Sequence, residues 1–212
     1  MSHPAACWVD KKKKTLSACE RNEEDRLSYL AHLIGVDMYK LVFVDESGFQ
    51  LGMLPTYGRS PKGERCLAQS PRNRGDNTNL IAALGVHGVQ ATMTLEGSVD
   101  AEVFELFIEH TLLPTLQPGQ IVIWDNYKIH KSAKTRTLIE THGCQVICLP
   151  TYSADLNPIE EAFSKIKAFV RRAKALARDA LDTAIVQAIH AISLQDIIGW
   201  FRHAGYSYYR YH

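Results

Sequence analysis

The sequence has no uninterrupted apolar run of about 18 residues, so no segment is predicted to cross a bilayer as a helix. Its start, Met1-Ser2-His3-Pro4, carries neither the basic segment nor the apolar stretch of a secretory leader. A soluble protein of the cytoplasm is expected. Cysteine is sparse and odd in number: Cys7, Cys19, Cys66, Cys144 and Cys148 include no CxxC pair and no zinc-ribbon spacing, which argues against a redox dithiol or a structural zinc. Cys144 and Cys148 fall on one face of a strand through Val146 and read as small core residues. There is no repeat of fixed period and no low-complexity tract beyond the run Lys11 to Lys14. A large excess of one charge is missing too, since 24 Lys and Arg stand against 23 Asp and Glu. The distribution of charge therefore says more than its sum. Glu20, Glu23, Glu24 and Asp25 follow the lysine run, which reads as a solvated linker. Lys165, Lys167, Arg171, Arg172, Lys174 and Arg178, by contrast, occupy a stretch without an acid and can attract phosphate.

With 212 residues and 46% apolar content, the chain can bury the core of one full domain and a short extension. Residues 1–38 read as a leader or linker with one helix, patterned by Leu27, Leu30, Leu33 and Ile34. Residues 39–206 read as the main domain, and 207–212 as a tail. The terminal tyrosines Tyr206, Tyr208, Tyr209 and Tyr211 read as a docking tail or a poorly ordered end, the second being favoured. Leu41–Val44 predicts a buried strand with Asp45 at its carboxyl end. The stretch from Tyr57 to Asn79 predicts an ordered loop with a short strand near Cys66. Thr78 to Val86 and Val89 to Leu95 predict a hairpin turning at His87-Gly88. Asp100 caps a helix bearing Val103, Phe104, Phe107, Ile108 and Leu112. A strand from Ile121, a helix from Lys131 to His142 closed by Gly143, and a strand from Gln145 to Leu149 come next. A helix from Pro158 to about Ala177 is followed by helical patterns over Leu181 to Ile192 and Asp196 to Phe201. This order of elements predicts an α/β chain of ribonuclease H-like fold, with a central mixed sheet flanked by helices.

Residues able to do chemistry gather where apolar segments end. Asp45 follows one strand, Asp125 follows Ile121-Val122-Ile123-Trp124, and Glu160 lies in Leu156-Asn157-Pro158-Ile159-Glu160-Glu161. Each acid alone has a local explanation. Asp45 and Asp125 can be turn formers, while Asn157 as N-cap, Pro158 at the first helical position and Glu160 after them make a capping box. Taken together, the three can converge at one edge of the sheet, where carboxylates hold Mg²⁺ for two-metal phosphoryl transfer. At roughly 100° per residue, Ile159, Phe163, Ile166 and Val170 share an apolar stripe, and Glu160, Lys167, Arg171, Lys174 and Arg178 share another. A carboxylate is thus aligned with phosphate-binding cations, the alternative for Lys174 and Arg178 being a solvated charged face.

Phe43-Val44-Asp45-Glu46-Ser47-Gly48, Pro61-Lys62-Gly63-Glu64-Arg65, Trp124-Asp125-Asn126 with His130-Lys131-Ser132, and Ser153-Ala154-Asp155-Leu156-Asn157-Pro158-Ile159-Glu160-Glu161 resemble the signature blocks of DDE transposases of the mariner-like superfamily, in its bacterial insertion-sequence branch. The likeness runs from about Lys11 to about Tyr206. It implies an enzyme of polynucleotidyl transfer in which Asp45, Asp125 and Glu160 ligate two Mg²⁺ or Mn²⁺ ions. DNA would be cut at the element ends, and the freed 3′-hydroxyl joined to a target, usually at TA. The implied partners are double-stranded DNA with terminal inverted repeats and a second copy of the chain. Lys165, Lys167, Arg171, Arg172 and Lys174 are the expected DNA contacts, and Asn126, His130 and Asn157 the expected supports of the site. The helix-turn-helix region usual in such relatives precedes the point where the likeness begins, so this chain is expected to be the catalytic half, with end recognition on a separate chain. Phe163 stands where Trp is common, and Arg59 precedes Ser60-Pro61 where an aromatic is frequent. Two other readings stay open: a non-catalytic DNA-binding or subunit-interaction fragment, and a ribonuclease H-like nuclease that cuts without joining.

Overall fold

Leu41–Phe49 forms the central strand β1 of a five-stranded mixed sheet. The computed structural model describes residues 20–69, 75–126 and 132–206. In chain order the other main elements are α1 (Glu23–His32, preceding β1), β2 (Thr78–Gly85), β3 (Gly88–Glu96), α2 (Ala101–Phe107), β4 (Ile121–Trp124), α3 (Ala133–Thr141), β5 (Gln145–Cys148), α4 (Ile159–Ala173), α5 (Arg178–His190) and α6 (Leu194–His203). The strand order is β3-β2-β1-β4-β5, with β2 antiparallel to both β1 and β3, and β4 parallel to both β1 and β5.

The period-two alternation of β1 sends side chains to opposite faces. Leu41, Phe43 and Phe49 enter a core shared with Ile159, Phe163 and Ile166 of α4 and with α5 and α6. Val42 and Val44 enter a second core with Phe104 and Phe107 of α2 and Ile139 of α3. The sheet is therefore covered on both sides by helices, which is the ribonuclease H-like arrangement.

Register places the acids. The parallel pairing of β1 with β4 runs only from Leu41↔Ile121 to Phe43↔Ile123, whereas β1 continues against β2 as far as Phe49↔Thr78. Asp45 is consequently mid-strand, opposite Ala82, and not at a strand end as its sequence predicts. The apolar run stops at Val44 because beyond it one neighbour of β1 is missing, not because the strand stops.

Other boundaries moved for local reasons. α4 closes at Lys174, whose left-handed backbone (φ 50°) caps the helix short of Ala177. Arg178 then starts α5, where it pairs with Glu96 at 2.9 Å and leaves the basic stripe. In the α1 segment Leu33 is buried in the first core and Leu30 packs against it as the leucine pattern predicts, whereas Leu27 and Ile34 are 67% and 80% exposed, and the fully inward positions of the helix itself are Arg26 and Tyr29. No strand forms near Cys66, and the 57–69 stretch is exposed throughout. Cys144 is buried as expected. Tyr206 is no loose end: it is buried in the first core and its hydroxyl donates to the Leu156 carbonyl at 2.6 Å. Tyr208, Tyr209 and Tyr211 lie outside the described residues.

Candidate active site

Three elements bring the three acids to one cleft. Asp45 projects from β1 beyond its last pairing with β4, Asp125 follows the last residue of β4, and Glu160 sits in the first turn of α4. Together with Asn126, Tyr152 and Asn157 they line a cavity of ≈ 360 Å³. The neighbouring glutamate, Glu161, turns instead to Nδ1 of His203 on α6, so Glu160 is the member of the pair that faces the cleft.

Asp45 is the most constrained of the three. One carboxylate oxygen accepts from the Glu46 amide at 2.8 Å and the other from Nδ2 of Asn157 at 2.9 Å. Burial, reinforced by the charges of Glu160, Glu46 and Asp125, pushes its pKa up to about 7. The capping-box reading of Asn157 and Glu160 is thereby corrected. Asn157 gives no side-chain bond to the helix start, where Pro158 occupies the cap, and spends its amide on Asp45. Its Oδ1 is buried without a hydrogen-bond partner.

These features fit a hard divalent cation. The donors are all oxygens, the acids repel one another, and an acceptor amide oxygen is orphaned beside them. Among the described residues no three His, Cys, Asp or Glu side chains are close enough to cage a single ion. An open site of that kind suits Mg²⁺ or Mn²⁺, which are commonly held by one or two carboxylates with water and substrate phosphate completing the shell.

The loop from Leu149 to Asn157 that carries one wall is pinned from three sides. The Leu149 amide donates to the Trp124 carbonyl at 2.8 Å. Asp155 takes a bidentate pair from the buried Arg26 guanidinium of α1, at 2.9 and 2.7 Å. Leu156 is held by Tyr206, whose hydroxyl also meets that of Tyr29 at 2.7 Å. Sequence reasoning missed Arg26, Tyr29 and Tyr206. Asp155 stood inside a recognised block, but its partner is 129 positions away and leaves no local signal.

The basic residues divide. Lys165 faces α6 and pairs with Asp196 at 2.5 Å, the same acid that caps that helix through Ser193, so its charge is engaged within the fold. Lys167 lies over the Phe49 ring, 5.8 Å from its centroid, and with Arg171 lines a second cleft of ≈ 230 Å³ beside Gly48, Gln50 and Asn77. Arg172 leans on Phe169, and Lys174 is exposed at the helix end. Asn126 is exposed at the lip of the acidic cleft, and His130 lies outside the described residues.

A mixed sheet of this order, with acids on the central strand, after its parallel neighbour and on the following helix, defines a ribonuclease H-like domain. A family model described as DDE superfamily endonuclease matches residues 40–182, and the chain belongs to that family. No curated protein matches it in sequence. Among solved structures it is similar to the Mos1 transposase paired-end complex with left transposon end, at 18% identity and a TM-score of 0.70, over 93% of this chain and 63% of that one. The Mos1 mariner paired end complex with Mn matches at 18% identity and TM-score 0.66, over 94% and 63%. The catalytic domain of Mos1 mariner transposase matches at 15% and 0.59, over 93% and 91%. The chain thus spans a little under two thirds of the length of the full Mos1 chains.

Proposed function

We propose that this chain is the metal-dependent catalytic domain of a DDE transposase of the bacterial insertion-sequence branch, spanning residues 39–206 with α1 docked on it, and that it cuts and joins DNA strands in the cytoplasm. The observation that carries the reading is the convergence of Asp45, Asp125 and Glu160 on one cleft from β1, the end of β4 and the start of α4. Asp45, Asp125 and Glu160 would hold two Mg²⁺ or Mn²⁺ ions. Such ions, when bound, stabilise the attacking and leaving oxygens of an in-line displacement at phosphorus. Asn157 orients the Asp45 carboxylate by its 2.9 Å bond and keeps one oxygen from rotating away from the cleft. Lys167 and Arg171, about two and three turns beyond Glu160 on the same side of α4, bind phosphates along the DNA that leaves the cleft. The partners in this reading are transposon-end and target DNA, a second copy of the chain, and a helix-turn-helix region that recognises the terminal repeats.

The test is strand transfer in Mn²⁺ from a pre-cleaved labelled DNA end into a supercoiled target, comparing the parent with Asp125→Asn. The variant keeps the side chain's size and loses its charge, so joined product is expected from the parent alone. Equal product from both would remove Asp125 from the chemistry, and nicking without joining in the parent would make the protein a nuclease.

A further inference from the structure

Tyr152 is exposed by 62%, its backbone is left-handed (φ 55°), and its side chain lines the cleft that holds the three acids. Each of these features costs or leaves unused something that a structural residue would not. A bulky aromatic in the left-handed region is a conformational outlier that glycine or asparagine would relieve. The only other non-glycine residue of positive φ among the described residues is Lys174, which has the ordinary task of ending a helix. Tyr152 makes no hydrogen bond and no ring contact among the described residues, so neither its hydroxyl nor its ring serves the fold.

The strain is maintained by the surroundings. Leu149 before it is tied to Trp124, Ser153 after it is buried and bonded to the Thr151 carbonyl at 3.3 Å, and Asp155 and Leu156 are clamped by Arg26 and Tyr206. A loop fixed on both sides displays one unpaired aromatic ring into a catalytic cleft. Strained conformations that are over-determined in this way mark sites where the displayed group meets a ligand.

We infer that Tyr152 is a stacking platform for the exposed face of a nucleobase flanking the phosphate that reacts at the acids. This rests on the DNA-strand chemistry proposed above. A ring at this place has no second anion-binding partner to offer, but it presents an apolar π-face that any base can cover without sequence preference. The subsite would hold the strand end in position, so that the reacting phosphate lies over Asp45 and not one nucleotide to either side.

The test uses the full chain in Ca²⁺, without turnover, and duplexes carrying one abasic site stepped along the nucleotides next to a strand end. Affinity is measured for the parent, Tyr152→Phe, Tyr152→Leu and Tyr152→Gly. At one position, loss of the base should weaken the parent and Tyr152→Phe roughly 5- to 150-fold, the range of a single base–aromatic stack. The same loss should change little in Tyr152→Leu and Tyr152→Gly. Tyr152→Gly should also melt at the parent's temperature or above it, because it releases the left-handed strain. A lowered melting temperature in that variant would make Tyr152 a structural residue and overturn the inference. So would DNA binding by the parent that is equally sensitive to the abasic site in all four proteins, an outcome that leaves the transposase reading intact. A parent that binds no DNA would overturn both.

Discussion

Asp45 sits where burial and three neighbouring acids all oppose its charge, and the fold answers with only two hydrogen bonds, from the Glu46 amide and Asn157. The consequence is a pH dependence of definite sign. Between the ordinary value of 3.8 and about 7 the folded protein retains a proton on Asp45 that the unfolded chain has released. This contribution to stability is complete below 3.8 and is lost as pH rises through about 7. Asp45→Asn should therefore stabilise the cation-free protein at pH 8 by on the order of 1–3 kcal/mol and by little at pH 4. Urea unfolding of parent and variant with chelator present measures the difference. A variant no more stable at the higher pH than at the lower would show that Asp45 is not held in its protonated form. The identity of Asp45 as a candidate could be read directly from the sequence, because an acid after an apolar run stands out. The role of Asn157 could not, since the pattern Asn-Pro-x-Glu describes a helix start equally well, and the partner that decides the matter lies 112 positions earlier.

At the level of elements, α1 is joined to the loop 149–157 by one ion pair and one pair of tyrosines, and that loop leads straight into α4. Arg26 is 7% exposed while the Asp155 side chain is half open to solvent, so the two partners are unequal. Removing Asp155 leaves a buried guanidinium without its bidentate acceptor. Replacing Arg26 by an apolar side chain of similar length leaves a carboxylate that water can solvate. Asp155→Ala is accordingly expected to cost about 1–3 kcal/mol after allowance for solvent at the acid, and Arg26→Met less. Chemical denaturation at neutral pH checks the order, and a larger loss for Arg26→Met would contradict it. The helices and strands themselves were legible wherever periodicity was long, as in α4 and the β2–β3 hairpin. What was lost were ends and faces. Lys174 closes α4 without glycine, and Arg26 shares the inward face with Leu30 and Leu33 where Leu27 and Ile34 were expected, because an ion pair can bury a position that hydropathy assigns to water.

For the molecule as a whole, two cores on opposite faces of one sheet leave the acids together at the carboxyl end of β4 and the basic side chains Lys167 and Arg171 farther along α4 than Glu160. A net charge of +1 hides this separation. The overall DNA affinity should then depend on a few local cations. If each neutralises one phosphate, Lys167→Gln and Arg171→Gln should each lower the slope of log affinity against log salt by about 1. Lys165→Gln should leave it unchanged, because Asp196 already engages that charge. Titrations over a range of salt concentrations separate these cases, and an equal effect of all three would return Lys165 to the DNA contacts. The fold class was readable from element order alone. The division of the cations was not, because helical spacing shows which residues share a face but not which of them meets an acid from another helix.

β1 spans Leu41–Phe49 and β4 only Ile121–Trp124. The cleft that holds the acids is the notch left where the shorter strand gives out beside the longer one. Such a notch is a property of chain length and not of side chains. Substitution of Asp45, Asp125 or Glu160 would change its charge yet leave its shape, and only added residues extending β4 along β1 would fill it.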